Sequence, residues 1–364
     1  MKILSIAGVR PNFIKLAPLT QEIKKHPEIK HILVHTGQHY DFDMSKQYFK
    51  ELNIPDPDIN LEVGSGTHGE QTSKVIEKVE KILNSEQPDF VVVVGDVNST
   101  MAASIAASKL QTKVVHIEAG LRSYDKTMPE EINRKITDHI SDILFTSFEE
   151  ANNNLEKEGI KQNVHFVGNI MIDNLIQNLD RINNSQILEN LNLKKGGYFV
   201  MTLHRPSNVD SKETLSNILD IIKEIQKNNK LLFAMHPRTK SNLVKFNFMQ
   251  LLEKMENLII TKPLNYVNFL ALVKNSKAVL TDSGGIQEET TFLHIPCITL
   301  RENTERPGTI DYGTNILTGM DRKKILMAIN EINEGKFKKG TKLPKWDGKT
   351  AERIVRVLIN ESAK

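Results

Sequence analysis

Short apolar, β-branched runs recur along this chain, separated by longer stretches of helical periodicity, and this alternation constrains the fold most. The runs are Ile3–Ala7, Ile32–His35, Phe90–Val94, Val114–Ile117, Ile143–Thr146 and Val164–Val167. A second set follows: Tyr198–Leu203, Leu231–Met235, Leu258–Ile260, Ala278–Thr281 and Ile298–Leu300. Continuous rather than alternating apolar character marks strands covered on both faces. Strands spaced by helices build βαβ units and a parallel sheet. A polar stretch rich in Asn and Lys, Gln177–Gly197, divides the two sets. The expected fold class is therefore α/β, with two doubly wound parallel-sheet domains. The first spans 1–172 and the second 173–348, with a hinge near residues 170–195. A C-terminal amphipathic helix over 349–364 carries Ala351, Ile354, Val355, Leu358 and Ile359 at helical spacing.

The 364 residues suffice for two ordinary cores. Forty-eight Lys and Arg against 45 Asp and Glu leave a net charge of +3, far from the basic excess of a nucleic-acid binder. Cys297, the single cysteine, reads as a small buried hydrophobe on a strand, since one thiol closes no internal disulfide. The apolar run Ile3–Val9 is too short for a signal peptide and ends at Arg10. No segment approaches the roughly 20 apolar residues of a membrane span. The cytoplasm is the expected compartment.

Ligands of open parallel sheets bind beyond the carboxyl ends of the strands, so the residue after each run matters most. Gly8-Val9-Arg10-Pro11-Asn12-Phe13-Ile14-Lys15 follows the first run, with Pro11 suited to a first helical turn. Arg10 and Lys15 would flank that helix start, a natural anion site, or stand as solvated cations. The segment is neither a dinucleotide fingerprint nor a Walker loop. Asp96 after Phe90–Val94 reads as a helix cap or a site acid. Glu118 after Val114–Ile117 reads as a cleft acid or as the partner of Arg122. In Met128–Arg134, Ile132, Ile136 and Ile140 mark an expected buried stripe, and Glu130 and Arg134 are spaced as an ion pair. His204 and His236 each follow a second-set strand, as proton donor, phosphate contact or structural histidine. Asp282-Ser283-Gly284-Gly285, leading into a helix, is a phosphate cradle in which glycines admit backbone N–H groups to the anion. Glu289 sits one turn further in, placed to reach a ribose diol. No His/Cys/Asp cluster has metal-ligand spacing.

Ten segments, in order, carry a resemblance: GVRPNFIKLAP, TGQHYD, GSGTHGEQT, GDVNST, HIEAGLRS, MPEEINR, TLHRPSNVD, HPRT, LTDSGGIQEE and LRENTERP, spanning residues 8–307. In this series the chain resembles the non-hydrolysing UDP-N-acetylglucosamine 2-epimerases. The resemblance implies a GT-B-like fold of two Rossmann-like domains with an interdomain cleft, the second binding UDP, and a homodimer. It implies interconversion of UDP-GlcNAc and UDP-ManNAc through UDP elimination, a 2-acetamidoglucal intermediate and re-addition, with no cofactor and no metal. By motif match Asp96, Glu118 and Glu130 resemble the family's catalytic carboxylates and His204 its functional histidine. Arg10, Lys15, Arg134, Ser283, Gly284, Gly285 and Glu289 match substrate-binding positions, and the uracil segment corresponds to Pro263–Phe269. Many bacterial relatives carry a second, activating UDP-GlcNAc site, whose region maps near Gln38, His39, Glu70 and Gln71; His236 is grouped with it. Tyr40-Asp41 and Glu70 replace a Gln/Arg-rich pattern there, GVRPN stands for the commoner GTRPE, and GDVNS stands for GDT.

The partner expected is a UDP-sugar, with no nucleic acid and no membrane span, and the products of such chemistry feed surface polysaccharides. The competing readings are an epimerase of UDP-2,3-diacetamido-glucuronate, a hydrolysing epimerase, a GT-B glycosyltransferase and a non-catalytic UDP-sugar sensor.

Overall fold

The protein is described by a computed structural model, covering residues 1–37, 54 and 56–363. The chain forms two compact units, one from Met1–Gln177 with Pro344–Lys364 and one from Asn178–Leu343.

The first unit holds seven parallel strands: β1 (Lys2–Ala7), β2 (Lys30–His35), β3 (Ile59–Asn60), β4 (Phe90–Val94), β5 (Lys113–Ile117), β6 (Ile143–Thr146) and β7 (Val164–Phe166), in the order β3-β2-β1-β4-β5-β6-β7. Pairing is in register along the sheet, for example Ser5 beside Leu33 on one side and Val92 on the other. The second unit holds six: β8 (Tyr198–Thr202), β9 (Lys230–Ala234), β10 (Leu258–Thr261), β11 (Ala278–Thr281), β12 (Cys297–Thr299) and β13 (Asn315–Leu317), in the order β10-β9-β8-β11-β12-β13. Each sheet runs outward from its first strand, then jumps back and proceeds the other way. The reversal falls between β1 and β4 in one unit and between β8 and β11 in the other. At such a point the flanking connections lie on opposite faces, which opens a crevice beyond the carboxyl ends of the two strands.

Both sheets are covered by helices. In the first unit these are α1 (Arg10–Ile23), α2 (His68–Glu86), α3 (Asn98–Lys109), α4 (Pro129–Ile140), α5 (Glu149–Lys157) and α6 (Ile170–Gln177). In the second they are α7 (Lys212–Asn228), α8 (Pro237–Lys245), α9 (Tyr266–Lys274), α10 (Gly284–Phe292) and α11 (Arg322–Asn333). The last helix, α12 (Thr350–Ser362), returns to the first unit and packs on α1 and α6. One core gathers Leu4, Val34, Val91, Val93 and Ala103, and the other Phe199, Ile222, Phe233 and Leu280. Cys297 is buried, and burial pushes its thiol up to about 11, the state of an inert apolar side chain. Among the described residues no helix is long and apolar enough to cross a membrane.

Two strands lie outside the sequence-derived set. Both β3 and β13 are sheet edges of two or three residues, too short to show as an apolar run. The helix expectation for 129–140 holds, but its buried face differs. Ile132 is 52% exposed and Ile136 and Ile140 are half-buried, while Glu131, Asn133, Arg134, Thr137 and Asp138 are buried. The helix turns its polar side inward because that side carries the bonds of the site.

The return of the chain is held by several contacts. Asp173 Oδ2 accepts the Ala351 N–H at 2.8 Å, at the start of α12; burial pushes this carboxyl up to about 6, against the pull of that bond. Gly168, at φ +97°, lies where a Cβ would come within 2.1 Å of Lys345 O. The neighbouring Trp346, the only tryptophan, stacks edge-on against Phe148 and donates to Ser147 O at 3.3 Å. Gly168→Ala is therefore expected to displace Lys345–Trp346 and red-shift the tryptophan emission. An emission maximum unchanged from wild type would count against this closure.

Candidate active site

The first unit places its charged groups around the β1/β4 reversal. Gly8 and Val9 follow β1, and their N–H groups both donate to Asn12 Oδ1, at 3.1 and 3.0 Å. Asn12 Nδ2 in turn donates to Val94 O at 2.9 Å, tying the turn after β1 to the end of β4. An amide can accept and donate at once, which a carboxylate cannot. One turn on, the Lys15 ammonium donates to Glu118 Oε2, and both side chains are almost wholly buried. A Cβ built on Gly95 would lie 3.2 Å from Lys15 Nζ and 3.5 Å from Glu118 Oε2, so the turn after β4 abuts this pair. Glu118 itself adopts φ +69°, rare for a side chain with a Cβ.

Asp96 follows Gly95 and is one-third exposed. Arg134 grips its Oδ2 through Nε at 3.0 Å and Nη2 at 2.9 Å. The same guanidinium bonds Glu131, which also accepts Ser123 N at 2.9 Å, Ser123 Oγ at 3.0 Å and Tyr124 N at 3.0 Å. Removing one partner from such a buried pair costs about 3–5 kcal/mol. Two sequence expectations are corrected here. Arg134 is buried and serves Asp96 and Glu131, not Glu130, because i and i+3 turn inward with it while Glu130 stays at the rim. Arg122 is not the partner of Glu118: it pairs with Asp138 at 2.7 Å and with Glu158 at 2.6 Å. Arg10 is exposed at the start of α1.

In the second unit the corresponding reversal brings His204, after β8, to Asp282, after β11. Asp282 is wholly buried; His204 Nδ1 donates to its Oδ1 at 2.9 Å. Asp282 also accepts His204 N, Arg205 N at 2.8 Å and Asn208 Nδ2 at 3.1 Å. Burial alone would raise this carboxyl; the facing histidine and backbone N–H groups outweigh it and hold the pKa below the ordinary range. The bond fixes the imidazole with Nε2 directed away from Asp282. His236 lies beside it, ring centroids 5.5 Å apart, its Nδ1 accepting Arg238 N at 3.2 Å.

Ser283 caps α10, and Gly284 and Gly285 form its first turn. A Cβ on Gly284 would lie 2.6 Å from Arg306 Nη1, so only glycine lets that guanidinium approach the helix N-terminus. Arg306 forms an ion pair with Glu288 at 3.0 Å, and Arg301 forms a bidentate pair with Glu305 at 3.0 and 2.8 Å. Glu289 is buried one turn into the helix. Pro263–Phe269 forms the connection from β10 into α9, capped by Asn265 Oδ1 accepting Asn268 N at 2.8 Å. Gln71 is buried in the first unit and accepts Asn98 Nδ2 at 3.0 Å, whereas His236 sits in the second unit beside His204. Gln38 and His39 lie outside the described residues.

The sequence reading passed over Glu131, His116, Asp138, Asp282 and the Arg301–Glu305–Arg306 cluster as site residues. The signal for Asp282 was present, a carboxylate just past a wholly buried strand, which is costly unless paired.

A sequence model described as UDP-N-acetylglucosamine 2-epimerase matches residues 21–359. A UDP-N-acetylglucosamine 2-epimerase homolog of Methanococcus maripaludis is 47% identical, the match covering 99% of this chain and 100% of the relative. The UDP-2,3-diacetamido-2,3-dideoxy-D-glucuronate 2-epimerase of Pseudomonas aeruginosa is 39% identical over 90% of each chain. Among solved structures, the UDP-GlcNAc 2-epimerase of Methanocaldococcus jannaschii, in complex with UDP-GlcNAc and UDP, superposes with a TM-score of 0.92. It is 46% identical, with 99% of this chain and 100% of that one covered.

The lowered pKa of Asp282 has a sign that can be measured. Near and below the ordinary carboxylate pKa of about 4, the unfolded chain binds more protons at this site than the folded one. The stability that Asp282 contributes is present above that value and is lost as pH falls through the folded-state pKa. Asp282→Asn is expected to flatten the fall in urea midpoint of the second unit between about pH 6 and about pH 3. Circular dichroism provides the readout, and an unchanged slope would contradict the assignment.

Proposed function

The chain belongs to the UDP-N-acetylglucosamine 2-epimerase family and is an isomerase of nucleotide sugars, and from this we propose that it interconverts UDP-GlcNAc and UDP-ManNAc. The observation that carries the proposal is the convergence at the β1/β4 reversal. There, two carboxylates, Asp96 and Glu118, each meet a buried cation at adjoining turns.

The chemistry asks for this set. The C2–H of the sugar is not α to a carbonyl, so direct deprotonation would leave an unstabilised carbanion. Cleavage of the C1–O bond first sends the electron pair to UDP and gives C1 oxocarbenium character, which acidifies C2–H. A carboxylate then takes the proton, forming 2-acetamidoglucal. A proton returned to C2 on the opposite face, with re-addition of UDP oxygen at C1, completes the inversion. Asp96, Glu118 and Glu130 are proposed for the proton transfers. The Ser283-Gly284-Gly285 turn and Arg306 suit the departing diphosphate, where N–H groups and a cation stabilise developing charge. His204, oriented by Asp282, is proposed to face the diphosphate, and Glu289 the ribose. Arg10, Lys15 and Arg134 complete the binding set, and Gln71 and His236 are proposed as candidates for a second UDP-sugar site. The resemblance further supports a cytoplasmic enzyme that supplies sugars for polysaccharide synthesis.

The same reading includes a homodimer. Helix α4 turns Ile132 outward, with Ile136 and Ile140 on the same side at four-residue spacing, an apolar row that a soluble surface rarely leaves uncovered.

Incubation with UDP-GlcNAc in deuterated water is expected to give UDP-ManNAc carrying deuterium at C2, followed by proton NMR. Asp96→Asn and Glu118→Gln should each lower turnover at least about 100-fold while UDP still binds. Recovery of undeuterated UDP-GlcNAc alone would defeat the proposal, and turnover only of the diacetamido-glucuronate sugar nucleotide would move the substrate. Light scattering should find a dimer for the wild type and a monomer for Ile132→Asp; a dimer in both would place the interface elsewhere.

A further inference from the structure

Behind Glu118 lies a chain of buried charged groups that touches no exposed surface until its far end. His116 is the penultimate residue of β5 and is wholly buried. Its Nε2 lies 2.9 Å from Gly95 O, and its Nδ1 lies 2.6 Å from Asp138 Oδ1, on α4. Asp138 Oδ2 accepts Gly120 N at 3.0 Å and Arg122 Nη1 at 2.7 Å. Arg122 also donates to Leu121 O at 2.8 Å and reaches Glu158 through Nε at 2.9 Å and Nη2 at 2.6 Å. Burial works to raise the Asp138 carboxyl, but His116 and Arg122 together hold it below the ordinary range.

Nε2 of His116 donates to a carbonyl oxygen, which only accepts, while Nδ1 is bonded to a carboxylate oxygen, so the ring bridges two turns at once. One turn, Gly95–Asp96, departs from β4 with Gly95 at φ +72°. The other, Glu118–Gly120, departs from β5 with Glu118 at φ +69° and Gly120 at φ +78°, its Cα so close to Ala151 O that a Cβ would lie 2.4 Å from it. Two left-handed positions flanking Ala119, one of them a glutamate, persist only where the surroundings over-determine them. Here the determinants are Ala119 N to Phe145 O at 3.0 Å, Gly120 N to Asp138, and Gly95 N to Ile117 O at 3.1 Å.

We propose that His116 and Asp138 are positioning residues that set the backbone of both carboxylate-bearing turns together, so that Asp96 and Glu118 keep one fixed separation during the proton transfers. The proposal rests on the epimerase reading above and deepens it. The two groups touch no substrate; they act through the Gly95 carbonyl and the Gly120 N–H. A ring bonded to only one turn would let the carboxylates drift apart, and a misplacement of about 1 Å costs on the order of 100-fold in rate.

His116→Gln keeps one amide N–H for Gly95 O but leaves its other end facing a carboxylate with an oxygen. The expected result is a kcat about 100-fold lower, with KM for UDP-GlcNAc and the Kd for UDP within about twofold of wild type. Asp138→Asn is the conservative counterpart. Its Oδ1 still accepts Gly120 N and Arg122, and its Nδ2 donates to a neutral His116 that keeps Nε2–H on Gly95 O. It should retain kcat within about tenfold of wild type, whereas Asp138→Ala should match His116→Gln. A merely structural role would instead lower the folded fraction, moving kcat and UDP binding capacity together in every variant; that result overturns the proposal. So does wild-type kcat in His116→Gln. Should His116→Gln fail to fold, Glu158→Gln loosens Arg122 from the exposed end and should cost kcat at least about threefold at constant KM, with no loss overturning the proposal. A wild-type enzyme that fails to exchange C2–H would defeat the epimerase reading; an active wild type with an equally active His116→Gln would defeat only the positioning role.

Discussion

A carboxylate withdrawn from water must be met by a cation or by several N–H groups, and the charged architecture of this protein follows from that requirement. Beyond the ends of three strands buried on both faces, at or beside the points where the sheet order reverses, a carboxylate appears: Asp96 just past β4, Glu118 after β5, Asp282 after β11. None can remain there alone, because an uncompensated charge in a low-dielectric interior costs several kcal/mol. Lys15 answers Glu118, Arg134 answers Asp96, and His204 with three N–H donors answers Asp282. The helices are bent to this purpose. Helix α4 buries Glu131, Asn133, Arg134 and Asp138 and turns Ile132 to the surface, the reverse of an ordinary amphipathic helix.

The two units solve a common problem with different chemistry. In each, the first strand and the strand across the reversal present their following loops to one crevice. In the first unit that crevice gathers carboxylates and cations suited to proton transfer. In the second it gathers a histidine, a glycine-rich helix start and an arginine, suited to a diphosphate. At Gly120 a neighbouring carbonyl occupies the room a methyl group would need and the backbone is left-handed, so glycine is required there; at Gly284 the guanidinium of Arg306 fills that room and would have to shift for a larger residue.

Most strands were legible because a parallel sheet covered on both faces writes its apolar character without interruption. Phe90–Val94, Ile143–Thr146 and Ala278–Thr281 match the structure to the residue. The edges β3 and β13 were not, since β3 offers a single apolar residue, Ile59, and β13 opens on Asn315, too little for an apolar run. The charged residues of the site were visible as types at strand ends, but their partners were not. Sequence spacing suggested Glu130 with Arg134 and Glu118 with Arg122. The structure instead pairs Arg134 with residues from a strand end and its own first turn, and gives Glu118 a lysine 103 positions away. Periodicity also placed Ile132 in the core, because the rule that apolar faces turn inward has no term for a helix whose polar side has better partners inside. Asn12, to which the sequence assigned no role, closes a three-way brace in the fold.

The return of the chain has a consequence for how the molecule is made. Residues 178–343 form a complete unit inserted into another whose last piece is residues 344–364. During synthesis the inserted unit has its whole sequence available before the one that surrounds it. The first unit is begun first and finished last: until the final twenty or so residues emerge, Asp173 lacks the Ala351 N–H, Phe148 lacks Trp346, and the faces of α1 and α6 stay bare. Truncation at the C-terminus thus strikes the half of the protein that carries Asp96 and Glu118, although those residues lie more than two hundred positions upstream of the cut.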